Sequence, residues 1–174
     1  MVTRRGTSHA DTLIGTAGPD LLYGFQGDDR LIGSDGNDGI FGGAGHDRIH
    51  GMNGDDTIVT LDRAHDLVWA GNGDDQMTGR NDLFDGGAGN DYLDMWVLGT
   101  KSVLKGGSGD DTFALHFDGT NGKVDVARVV DIHDGEELKI TNYGGNEHHV
   151  DLGNGHWQIN DEGDILILPK DFVF

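Results

Sequence analysis

The chain has 174 residues, enough for one domain or for one repeat array with a cap. Its 31 glycines and 35% apolar content do not suit an ordinary helical or sandwich core, and 31 acidic against 12 basic residues give a formal charge of −19. That charge excludes a nucleic-acid surface and adsorption to anionic lipid, and without bound cations it drives a compact chain toward disorder.

From Gly6 one nine-residue pattern recurs six times without a break: GTSHADTLI, GTAGPDLLY, GFQGDDRLI, GSDGNDGIF, GGAGHDRIH and GMNGDDTIV. Each unit opens on glycine, carries aspartate at the sixth place and an aliphatic residue at the eighth. Beyond Val59 the phase slips. Residues 60–69 form a ten-residue unit in which Thr60 replaces glycine while Asp66 and Val68 keep their places. AGNGDDQMT restores Asp75 and Met77, residues 79–85 make a short unit around Asp82 and Phe84, and GGAGNDYLD returns in full. Met95 and Trp96 read as insertions, residues 97–105 keep Leu104 but have Ser102 in place of aspartate, and GGSGDDTFA closes the array. The count is twelve units.

A six-residue polar, glycine-rich stretch followed by three residues with one inward apolar position has no 3.6-residue periodicity, so each unit reads as a turn and a short strand. Two units make one coil, and six coils stack their strands in parallel at about 4.8 Å. Turns two units apart then share an edge. Asp11, Asp29 and Asp47 line one edge, and Asp20, Asp38, Asp56, Asp75 and Asp91 line the other.

The units match GGxGxDxUx and so resemble the RTX (repeats-in-toxin, hemolysin-type) calcium-binding family over residues 6–114. The resemblance implies an all-β fold: a right-handed parallel β-roll, a β-helix solenoid of nonapeptide repeats, with Ca2+ ions lodged between stacked turns. Calcium takes six to eight oxygens, so carboxylates and backbone carbonyls from neighbouring turns suit it, whereas magnesium demands a tighter octahedron. The candidate ligating positions are drawn from four places of the turn. The sixth-place carboxylates are Asp11, Asp20, Asp29, Asp38, Asp47, Asp56, Asp75, Asp91 and Asp111. First-place glycines are Gly15, Gly24, Gly33, Gly42, Gly51, Gly86 and Gly106. Third-place residues are Ala17, Gln26, Asp35, Ala44, Asn53, Asn72, Ala88 and Ser108. Fifth-place residues are Asp28, Asn37, His46, Asp55, Asp74, Asn90 and Asp110. About seven or eight ions would nearly cancel the formal charge, and folding would be coupled to their binding.

Ninth-place side chains point outward, with Ile14, Ile32, His50 and Trp69 on one face and Tyr23, Phe41 and Val59 on the other. Tyr23, Phe41, Trp69 and Trp96 are the candidate ligand-binding residues for a polysaccharide or protein surface. From residue 115 to 174 the repeat gives way to alternating stretches such as KVDVARVVDI, ELKITNY, HHVDL, HWQIN and DILILP, read as an antiparallel β cap. VVDIHDGEELKIT is similar to the segment that follows the repeats in serralysin-type proteases, and Asp171, Phe172, Val173 and Phe174 resemble the tail of type I secretion substrates. The resemblance thus implies Gram-negative type I export to the extracellular space, with the secretion apparatus as a partner.

No enzyme is expected. HExxH and GxSxG are absent, and His46 and His50 sit in a turn and a strand rather than on one helix face. The pair His148 and His149 beside Glu147 is the other histidine cluster weighed for a transition metal. The absence of cysteine removes disulfides and thiolate zinc. No run approaches the ~20 apolar residues of a membrane span, and no apolar h-region follows Arg4 and Arg5, so no cleaved leader is expected.

Overall fold

The computed structural model describes residues 1–98, 102–117, 125–132, 136–142, 150–153, 156–158 and 165–169. Within these the chain is all strand and turn, and no helix is long and apolar enough to cross a membrane. The strands alternate between two sheets. One sheet takes β1 (Thr3–Arg5), β3 (Leu21–Gln26), β5 (Gly39–Ala44), β7 (Thr57–Thr60), β9 (Gln76–Arg80), β11 (Tyr92–Val97), β13 (Thr112–Phe117) and β15 (Glu137–Asn142), in that spatial order. The other takes β2 (Thr12–Ile14), β4 (Arg30–Asp35), β6 (Arg48–Asn53), β8 (Leu67–Asn72), β10 (Leu83–Ala88), β12 (Ser102–Ser108) and β14 (Val126–Val129). It continues through β18 (Ile165–Ile167), β17 (His156–Gln158) and β16 (Val150–Gly153).

Every pairing within the array is parallel and joins equivalent places of units two apart, as in Leu22 with Ile40 and Leu31 with Ile49. This register follows from the hydrophobic pattern. A one-residue slip would turn the inward set outward, because side chains alternate along a strand. The eighth-place residues form the core: Leu22, Ile40, Ile58, Met77, Leu93 and Phe113 from one sheet meet Leu31, Ile49, Val68, Phe84 and Leu104 from the other, all buried. Twelve strands, β2 to β13, correspond to the twelve units and give the expected six coils of a β-roll.

Two expectations are corrected. Met95 and Trp96 are not an insertion that leaves the strand. β11 runs unbroken to Val97, so Met95 and Val97 are buried in the core and Trp96 points outward. The first two cap strands are also not antiparallel. β14 pairs parallel with β12, and β15 pairs parallel with β13, so the roll extends past its last repeat. Their alternating sequence fits either direction, and the existing sheet edges supply a parallel template. Antiparallel pairing is confined to β16 with β17 and β17 with β18. Asp131 adds a further closure, accepting hydrogen bonds from the backbone N–H groups of Gly106 and Gly107 at 2.9 and 3.0 Å. The tail Asp171–Phe174 and the run Glu147, His148 and His149 lie outside the described residues.

Because the core is one residue deep on each side, a single truncation is expected to be costly. Ile49→Ala should destabilise the calcium-loaded fold by about 2–5 kcal/mol, seen as a lowered denaturant midpoint at constant calcium.

Candidate metal centre

The turns between strands carry the chemistry. In the full units from Gly24 onward the chain reverses within six residues, which requires left-handed backbone at the fourth place, as at Gly27 (φ 114°) and Gly45 (φ 131°). The second place is left-handed too, even where it is Phe25 (φ 79°), Ser34 (φ 90°) or Met52 (φ 87°). The first-place glycines answer a different need. A side-chain carbon at Gly24 would lie 2.5 Å from Oδ2 of Asp29 and would strike the carbonyl of Gly42 one coil on.

The sixth-place aspartates form two ladders. On one edge the backbone N–H of Asp11 donates to Oδ1 of Asp29, Asp29 to Asp47, Asp47 to Asp66 and Asp66 to Asp82, at 2.7–2.9 Å. On the other, Asp20 donates to Asp38, then Asp38 to Asp56, Asp56 to Asp75, Asp75 to Asp91 and Asp91 to Asp111, over the same distances. The two edges are those expected from the spacing. Asp66, Asp82 and Asp111 extend them, although their units or neighbours are irregular.

One oxygen of each carboxylate is thus engaged, while the other differs among turns. Oδ2 of Asp29, Asp38, Asp47, Asp56, Asp66, Asp75, Asp91 and Asp111 is buried with no hydrogen-bond partner. A buried unsatisfied carboxylate oxygen is expensive, and eight in register have one economical remedy, a cation between the turns. The electrostatics agree. Burial first, and then like charges one coil away, push Asp56, Asp75 and Asp91 up to about 7 and Asp66 up to about 8. Asp47 is held at about 6, and Asp29, Asp38 and Asp111 are raised from their usual value for the same reasons. Asp20 is the exception: burial raises it, but hydrogen bonds from Thr16 and Val2 outweigh that and leave it lowered.

The donor set is all oxygen, which suits calcium. Among the described residues no three His, Asp or Glu side chains converge on one point, so an ion must complete its shell from backbone carbonyls. The first-place glycines lie close against the sixth-place carboxylate of their own turn, as Gly33 does against Asp38 and Gly86 against Asp91. Third- and fifth-place side chains instead lie outside and link coils. Asn53 donates to Asp35 at 2.7 Å and Asn72 to Asn53 at 2.8 Å. The backbone N–H groups of His46, Asp55, Asp74, Asn90 and Asp110 each donate to the fifth-place side chain one coil earlier. His46 is therefore a linker by its side chain, with Nδ1 against the backbone of His65.

Asp62 was not among the expected ligands. Its Oδ2 accepts from the N–H of Gly45 at 3.0 Å, and its Oδ1 is buried without a partner. Only its third-place position, shared with Asp35, hints at it in the sequence.

The aromatic candidates do not form one platform. Tyr23 and Phe41 stack with centroids 4.8 Å apart on one outer face, with Phe25 beside them and Arg5 over the Tyr23 ring. Trp69 lies on the opposite sheet, stacked on His50 at 4.7 Å. Trp96 shares a sheet with Tyr23 but stacks on His116 further along the roll. A nine-residue period fixes inside and outside but does not show which coil an outward side chain belongs to once units shorten.

Parallel coils joined by oxygen-lined turns define a calcium-binding β-solenoid. A sequence model of the RTX calcium-binding nonapeptide repeat (4 copies) matches residues 5–40, 32–62, 60–82, 78–94 and 102–115, more than half of the chain. The chain belongs to that family. Among solved structures it is similar to the extracellular lipase LipA from Serratia marcescens, with 17% identity, 97% of this chain covered and a TM-score of 0.35. It spans 37% of that chain's length. A search of curated proteins returns no match.

The raised carboxyls set a pH dependence. The metal-free fold binds more protons than the unfolded chain between about pH 4 and pH 8, so its stability falls as pH rises through that window. Any strand signal that remains in chelator, followed by circular dichroism, should therefore be larger at pH 5.5 than at pH 8. A residual signal that grows as pH rises would contradict this.

Proposed function

We propose that the chain is a secreted, non-catalytic roll that stays largely unfolded at cytosolic calcium, passes through a type I exporter, and folds when extracellular calcium fills its turns. The observation that carries this reading is the set of eight buried, unpartnered Oδ2 atoms in two register ladders. A chain of charge −19 that stacks carboxylates one coil apart resists closure until cations arrive. Extracellular calcium sites are tuned to about 10⁻⁴–10⁻³ M, far above cytosolic levels, so one gradient separates the exportable state from the folded one. Family membership supports secretion, and the absence of HExxH and GxSxG supports a structural role.

A calcium titration of chelated protein, read by circular dichroism, tests this. Strand signal should appear cooperatively with a midpoint of about 10⁻⁴–10⁻³ M, and magnesium should not replace calcium. Full strand content in chelator, or folding below about 1 µM, would sink the proposal.

A second reading rests on the Tyr23–Phe41 stack. With Phe25, 47% exposed, these rings border a hollow of about 640 Å³, a shape that suits a sugar ring or an apolar side chain. If the roll anchors to polysaccharide, Tyr23→Ala with Phe41→Ala should abolish retention on a polysaccharide matrix while leaving the calcium titration unchanged. Retention equal to the parent would remove this role.

A further inference from the structure

Three aspartates of the two ladders differ from the other eight. Oδ2 of Asp11 accepts the backbone N–H and the hydroxyl of Thr7, at 2.6 and 2.8 Å. Oδ2 of Asp20 accepts the same two groups of Thr16, again at 2.6 and 2.8 Å. Oδ2 of Asp82 accepts the hydroxyl of Thr60 at 2.7 Å and the N–H of Arg80 at 2.9 Å. The oxygen that is open elsewhere is closed in these three turns, each time by a threonine hydroxyl and a backbone amide. Thr7 and Thr16 share one local pattern, a second-place threonine four residues before its aspartate, whereas Thr60 reaches forward from the preceding coil of the same edge.

The backbone draws the same division. In seven of the eight open turns the second-place residue is left-handed: Phe25, Ser34 and Met52, and glycine at 43, 71, 87 and 107. A non-glycine residue there is strained, which persists only where the surroundings require it. Thr7, Thr16 and Arg80, at the second place of the closed turns, are not left-handed. Thr60 itself is fully buried, and a side-chain carbon on Gly79 would strike both its hydroxyl and Oδ2 of Asp82, so this turn is filled by protein.

We infer that at Asp11, Asp20 and Asp82 a threonine hydroxyl stands in for the ion, so that the calcium array begins at the second coil and is interrupted on one edge at Asp82. This rests on the calcium reading above and assigns it turn by turn. At Asp82 the Thr60 bond ties the irregular ten-residue unit to the shortened one without metal.

The test is an ion count by native mass spectrometry at saturating calcium on the full chain, with folding of each variant checked by circular dichroism. Asp56→Asn and Asp91→Asn should each lose at least one ion. Asp82→Asn and Asp11→Asn should keep the parent count. Asp11 is half-exposed in the first coil, so its variant remains informative if Asp82→Asn does not fold. Loss of an ion from either Asp82→Asn or Asp11→Asn would overturn the inference while leaving calcium binding intact. A parent protein that takes up no calcium would overturn the underlying reading instead.

Discussion

The structure depends on a carboxylate used from both ends. Beyond Asp11, one oxygen of each ladder aspartate receives a backbone N–H from one coil earlier, which fixes coil upon coil in register. In eight turns the other oxygen faces inward with no partner, buried beside like charges. The first interaction holds the coils together and the second drives them apart. A divalent cation with a large, flexible oxygen shell reconciles the two, because it neutralises the stack and satisfies the open oxygens at once.

The rest of the fold follows from that compromise. Glycine at the first place lets a carboxylate and a neighbouring carbonyl approach where a Cβ would collide. The inner ladder of Leu22, Leu31, Ile40, Ile49 and their successors is too narrow to overcome the repulsion of two charged edges, so hydrophobic burial and ion binding must act together. The outer side chains are free of this constraint. One face has therefore been able to assemble the Tyr23–Phe41 stack without disturbing the turns.

Much of this was legible in the sequence, for a physical reason. A strict nine-residue phase places every sixth residue on an edge and every eighth inside, so both aspartate ladders and the core from Leu22 to Ile58 could be read directly. Where the phase breaks, only tertiary register decides. Met95 and Val97 are buried because β11 continues past its repeat, and β14 and β15 run parallel because β12 and β13 present edges to them. The hydrogen bond from Thr60 to Asp82 spans 22 residues across two irregular units, and no local pattern announces it. Trp69 and Tyr23 fall on opposite sheets, as their ninth-place alternation implies.

The most direct measurement is a crystal structure of the calcium-loaded protein with anomalous data that locate each ion. Ions should lie 2.3–2.6 Å from Oδ2 of Asp29, Asp38, Asp56, Asp75 and Asp91, in columns along both edges. Density showing these oxygens bonded to protein or water, with no ion between the turns, would contradict the account.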